Sequence, residues 1–222
     1  RDAARALYPY MRPVTNVGAT DSNPIGGGSP LAPNCAFDRP SSGSTTQPVS
    51  WWEAKYSASA DLAQFQPDSL GKGNPKDSWP MYHLALGLDG NFAMYRATKK
   101  TQYLDRALLY IENCINRAVV SNASNFPNSQ FKDGYRGWIS LSHPDGSTGL
   151  EQALYEFYMC RYVMQGCYHA RNQPGYQARI AAIIAFTETH IWQKWYGRGS
   201  GQLWLYREVV HISSHTAIVA LY

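Results

Sequence analysis

The sequence predicts an all-α fold, and three observations carry that expectation. Beyond residue 76, apolar residues recur at helical spacing in five separate runs; no strand-like alternation interrupts those runs; and residues 1–76 have the composition of loop. At 222 residues the chain suits one domain of ordinary size, or one large domain with an extended arm. A hydrophobic content of 44% excludes a disordered chain, and a charged content of only 16% excludes a charged-surface coiled coil.

Residues 2–10 can form a short helix, after which turn formers dominate, as in Asn23-Pro24-Ile25-Gly26-Gly27-Gly28-Ser29-Pro30 and Arg39-Pro40-Ser41-Ser42-Gly43. The neighbouring Trp51 and Trp52 would be costly to leave in water. Residues 1–76 are therefore expected to be an irregular arm packed on the domain or covering a cleft. Ser78 can cap a first long helix with Pro80 in its first turn, continued by Met81, Leu84, Leu88, Phe92 and Tyr95. Thr101 opens a second, with Leu104, Leu108, Ile111 and Ile115 on one face. A polar loop and the aromatic segment 133–140 follow. Thr148-Gly149-Leu150-Glu151 has the form of a capping box and is expected to start a third helix through Tyr168. Pro174 begins a fourth, to about Trp195, and residues 205–222 read as a fifth. That last helix is still apolar at Val219, Ala220 and Leu221, so the helical domain, 77–222, is expected to be truncated at its C-terminus. Successive amphipathic helices of this kind pack as antiparallel hairpins.

The segment Met94-Tyr95-Arg96-Ala97-Thr98, followed by Tyr103-Leu104-Asp105-Arg106-Ala107-Leu108, resembles the helix–turn–helix junction of α/α-toroid carbohydrate-active enzymes: glycosidases, uronate-polymer lyases and sugar epimerases. The resemblance covers residues 77–120 well and residues 148–222 only as hairpin rhythm. It implies hairpins of an incomplete α/α-toroid barrel, and among these families it leans to polysaccharide lyases acting on alginate or glucuronan. Function drawn from a shared fold is analogy.

β-Elimination from a uronate needs a donor or cation at the carboxylate, a base for the α-proton and an acid for the leaving oxygen. Arg207, His211 and His215 fall at i, i+4 and i+8 of the fifth helix and make one polar stripe. The resemblance implies His and Tyr in the reacting roles, which assigns His211 or His215 as base or neutraliser and Tyr206 or Tyr135 as acid. Such lyases often place an Asn beside the His; none flanks His211, so Arg207 would have to substitute. Asp133-Gly134-Tyr135-Arg136-Gly137-Trp138 can present a stacking ring and a carboxylate clamp, with Arg136 and Trp138 as ligand contacts. Trp204 and His83 are further candidate contacts. A glycoside hydrolase of the same fold would need two carboxylates across the scissile bond, and Asp133 with Glu151 or Glu156 is the best available set. A non-catalytic glycan-binding or structural component of a surface assembly is the reading from a different class.

The mild net charge of +4 contains no basic run beyond Lys99-Lys100, against a nucleic-acid partner and compatible with an anionic polysaccharide. The longest apolar stretches, such as 180–186, fall far short of the ~20 residues of a membrane span. No cofactor motif appears. His211 and His215 lack the Glu of an HExxH motif, so no metal is expected. Cys160 and Cys167 would stand ~10 Å apart on one helix, beyond the ~7 Å that a disulfide spans. Buried free thiols are expected, with a Cys35 bridge as the minority case. The sequon Asn122-Ala123-Ser124 lies in the polar loop. A chain beginning at Arg1 suggests a processed product, and the carbohydrate reading implies a secreted, periplasmic or cell-surface location. The 16 Tyr and 7 Trp leave two meanings open, a sugar-stacking surface or a Tyr-rich core.

Overall fold

A computed structural model describes residues 47–141 and 148–198. Every element below belongs to the unit that begins at Val49. Helix α1 spans Val49–Ala60, α2 Met81–Thr98, α3 Thr101–Arg117, α4 Ala153–Ala170 and α5 Gln177–Thr187. A π-helical turn, Glu188–Gln193, joins α5 directly to the short α6, Lys194–Gly197. The domain is mostly helical, as expected. The expected fifth helix, 205–222, and Cys35 lie outside the described residues.

Helices α2 and α3 form the anticipated hairpin. Its two-residue link works because Lys99 takes the left-handed conformation at φ 59° and its N–H bonds to the Tyr95 carbonyl. Thr98 Oγ1 donates to the Met94 carbonyl and accepts from the Lys100 N–H, so the polar ends are satisfied locally. Ser78 does not cap α2 through its side chain; its carbonyl instead receives the Met81 N–H.

Between hairpins the chain runs as four two-residue strands that the periodicity did not announce. β1 (Val119–Val120) pairs antiparallel with β2 (Arg136–Gly137), and β3 (Ile139–Ser140) with β4 (Leu150–Glu151). Strand β4 corrects the capping-box expectation: Glu151 is in a strand, and helix α4 begins two residues later at Ala153.

Helix α4 lies beside α2 with residue numbers rising together. Tyr82 meets Tyr155 and Tyr158 at ring separations of 5.2 and 4.7 Å, Phe92 lies against Gly166, and Arg96 reaches His169. The two are therefore parallel. Gly166 permits the close approach, since a Cβ there would sit 2.9 Å from the Phe92 ring. Helices α3 and α5 also run the same way: Tyr176 and Arg179 reach Asp105, and Arg179 reaches on to Glu112. Hairpin thus stacks on hairpin, around one core of Leu84, Leu88, Phe92, Leu104, Leu108, Ile111, Tyr155, Phe157 and Ile183. Cys114, Cys160 and Cys167 are buried free thiols. Burial pushes the Cys160 and Cys167 thiols up to about 12, so they stay protonated and inert.

Residues 49–76 were expected to be irregular, yet they open with α1 and then strap α3. Glu53 accepts from Tyr103 and Lys100, Asp61 from Arg106, the Phe65 carbonyl from Tyr110, the Pro67 carbonyl from Asn113 and Asn74 from Arg117. The α3 partners, 103, 106, 110, 113 and 117, alternate by three and four and form one stripe. Trp51 and Trp52 are exposed, at 39% and 55%, against the expectation that they would be covered.

Candidate functional site

Because α2 and α4 run together and their hairpin partners run back, one end of the layer collects the starts of α2 and α4 and the ends of α3 and α5. The four short strands lie at this end, and so does nearly every described candidate.

A charged cluster is buried there. Lys194 has no exposed side-chain surface and lies 2.8 and 2.7 Å from the two oxygens of Glu156, 3.2 Å from Glu151 Oε1 and 3.0 Å from the Arg136 carbonyl. Trp195 Nε1 donates to Glu156 Oε2 at 2.6 Å. Ser121 Oγ and Arg198 both donate to Glu151 Oε2, at 2.7 and 2.9 Å. Arg198 also grips both oxygens of Asp133 at 2.8 and 2.9 Å. Gly137 makes room for the cluster: a Cβ would sit within 2.8 Å of Glu151, Lys194 and Glu156.

Three carboxylates thus face two cations. Burial pushes the Glu156 carboxyl above its ordinary range, against the pull of Lys194, which favours holding the surplus charge as a proton there. Burial also raises Asp133, but the paired hydrogen bonds and charge of Arg198 outweigh it and hold that carboxyl below its usual range. Glu151 and Glu156 are sealed from water and paired, and Asp133, partly exposed, is paired with Arg198.

The loop candidates separate. Trp138 is buried at 2% exposure, donates from Nε1 to the Cys114 carbonyl at 2.8 Å and packs on Phe186, so it is an anchor and not a stacking platform. Arg136 donates to the Ile115 and Ala118 carbonyls at the end of α3, with its guanidinium over Phe186. It closes a helix end rather than clamping a carboxylate. Tyr135 remains half-exposed, its ring edge-on to His190 at 6.3 Å. His83 is exposed on α2. The candidates Trp204, Tyr206, Arg207, His211 and His215 lie outside the described residues.

His190 was not anticipated. It sits in the π-helical turn, and its Nδ1 accepts the Arg136 backbone N–H at 3.2 Å, so the neutral ring carries its proton on Nε2. Burial, then the charges of Arg136 and Lys194, hold its pKa below the usual imidazole value and keep it neutral. Beside Tyr135 this makes a fixed hydrogen-bond donor.

An aromatic row was also missed. Trp79 meets Tyr82 and Tyr155 at 5.6 and 5.8 Å, and Tyr158 continues to Tyr162 at 5.7 Å. Trp79 is 37% exposed, and Tyr82 and Tyr158 are half-buried. The contacts among Trp79, Tyr82, Tyr155 and Tyr158 are edge-to-face, and the Tyr158–Tyr162 contact is tilted. Spacing could have found it, because Trp79, Tyr82, Tyr155 and Tyr158 are helix-start positions on two helices of the same hairpin rank. Among the described residues no group of three His, Cys, Asp or Glu is placed to hold a metal ion, and no helix is long and apolar enough to cross a membrane. Comparison with protein-family models, with curated proteins and with solved structures finds no match to this chain.

Proposed function

We propose that this chain is a carbohydrate-active protein of α/α-toroid type that cleaves a uronic-acid-containing glycan by β-elimination. The observation that carries the reading is the half-exposed aromatic row Trp79–Tyr82–Tyr158 at the end where parallel helices α2 and α4 begin. Sugar rings stack their C–H faces on such side chains and hydrogen-bond at the rim. The stacked hairpins fit the inner-and-outer helix arrangement of a toroid.

In the reaction a base removes the proton α to the carboxylate, the C–O bond to the leaving sugar breaks, and an acid protonates the leaving oxygen. His190, neutral and pinned with Nε2–H outward from its backbone bond, suits donation to the uronate carboxylate as charge develops there. Tyr135 is the described candidate for proton transfer, and His211 or His215 remain the proposed base. A lyase is preferred to a hydrolase because Asp133, Glu151 and Glu156 are already engaged by Arg198 and Lys194.

The test is digestion of polymannuronate, polyguluronate and glucuronan, read by ultraviolet absorbance of the unsaturated uronate product. Cleavage should generate that chromophore and should fall strongly in Tyr135→Phe. New reducing ends without the chromophore would make the protein a hydrolase. Binding without either product would make it a glycan-binding protein.

A further inference from the structure

The opposite end of the same helix pair carries a second cluster with a different chemistry. Helices α2 and α4 finish there, and Arg96 Nη1 lies 3.3 Å from His169 Nε2. The His169 ring contacts Tyr95 at 6.0 Å and Tyr168 at 5.8 Å. Lys99 stands over Tyr95, and the Arg171 guanidinium stands over Tyr168 at 3.6 Å. Gln173 fixes Tyr95 with a 2.6 Å hydrogen bond to its hydroxyl. The cations are thus joined into one patch through rings and a histidine.

We propose that Arg96, Lys99, His169 and Arg171 form an oxyanion-binding site, taking a phosphate, sulfate or carboxylate group. This does not depend on the glycan reading, since it concerns the other end of the layer. Two observations carry it. First, among the described residues no carboxylate pairs with Arg96, Lys99 or Arg171, whereas Lys100 next door is paired with Glu53 and Arg179 with Asp105 and Glu112. The carbonyl ends of two helices favour nearby cations but leave most of these N–H donors without an acceptor. Second, the groups are preorganised. Arg171 stands over the Tyr168 ring and donates from Nη1 to the Tyr168 carbonyl, which fixes the guanidinium and leaves Nε and Nη2 for an oxyanion, and Arg96 is held by its contact with His169.

The groups facing His169 are Arg96 and Lys99 from α2, Arg171 just beyond α4, and the rings of Phe92, Tyr95 and Tyr168. Burial, then the charges of Arg96, Arg171 and Lys99, hold its pKa below the ordinary imidazole value. An anion seated among those cations reverses the repulsion, so binding and proton uptake at His169 are linked.

The experiment is an NMR pH titration of the His169 imidazole in the full chain, in chloride, inorganic phosphate or glucuronate at matched ionic strength. Phosphate is expected to raise the His169 midpoint above its value in chloride, and Arg96→Gln/Arg171→Gln to weaken phosphate binding about tenfold. The single variant Arg171→Gln should show part of that loss. A response to glucuronate as well assigns carboxylates to the site, and a response to phosphate alone restricts it to tetrahedral anions. Identical midpoints in chloride and in both anions overturn the proposal, as does an undiminished phosphate response in the double variant.

Discussion

The strap of residues 49–76 on α3 and the buried cluster around Lys194 use the same groups in opposite surroundings. On the strap, Arg106 and Asp61 pair at 2.8 Å with side chains 26% and 56% exposed. In the cluster, Lys194 pairs with Glu156 at 2.7 Å with neither side chain exposed. Water decides what these similar distances mean. An exposed pair replaces good hydration with a modest attraction, and its removal leaves two solvated ions. A buried pair has surrendered hydration already, so removing one partner leaves the other stranded. The strap is thus a series of weak, separable fastenings, and the cluster is a single interdependent unit.

Breaking the cluster at its centre should have the largest effect. Lys194→Met is expected to cost about 3–5 kcal/mol in chemical denaturation, because Glu151 and Glu156 lose their shared cation. Gly137→Ala should cost about 1–3 kcal/mol by forcing a methyl group against all three side chains, with thermal unfolding as the readout. Trp138→Phe should cost about 1–3 kcal/mol, mainly by orphaning the Cys114 carbonyl.

The pH dependence sharpens the contrast further. Glu156 binds its proton more tightly in the folded than in the unfolded chain, so stability should fall as pH rises from the ordinary carboxyl value toward its raised one. Asp133 acts in the other direction, and its contribution should be lost as pH falls from the ordinary carboxyl value through its lowered one. Urea denaturation across pH should show the first slope in the parent protein and its loss in Glu156→Gln. The smallest effect belongs to the strap: Arg106→Gln should change stability by no more than about 1 kcal/mol, and salt should erase most of that.

The helices were readable because an amphipathic run must bury its apolar stripe wherever it packs. That logic located α2 through Leu84, Leu88 and Phe92, and α3 through Leu104, Leu108 and Ile111. It failed at Glu151, where a local capping pattern competed with a distant lysine and arginine and lost. It failed also at Trp138 and Arg136, whose types suit a sugar cleft but whose nearest unsatisfied groups were helix-end carbonyls. Lys194 left a trace in hindsight: it continues the buried stripe of Ile180, Ile183, Thr187 and Ile191, a costly position for an ammonium without partners. The exposed Trp51 and Trp52 show the reverse error, since the apolar ring alone does not specify a covering surface.

The sequence by itself determined the helical class, the α2–α3 hairpin and the separation of Cys160 from Cys167, because periodicity and short turns act within a few residues. Only the tertiary structure decided that α2 lies parallel to α4, that His190 stands beside Tyr135, and that Asp133, Glu151 and Glu156 share Lys194 and Arg198. Those outcomes join residues 38 to 73 positions apart in the chain at their hydrogen bonds. Such partners are chosen by which buried charges and donors need satisfying once the helices have packed, a condition that does not exist along an extended chain.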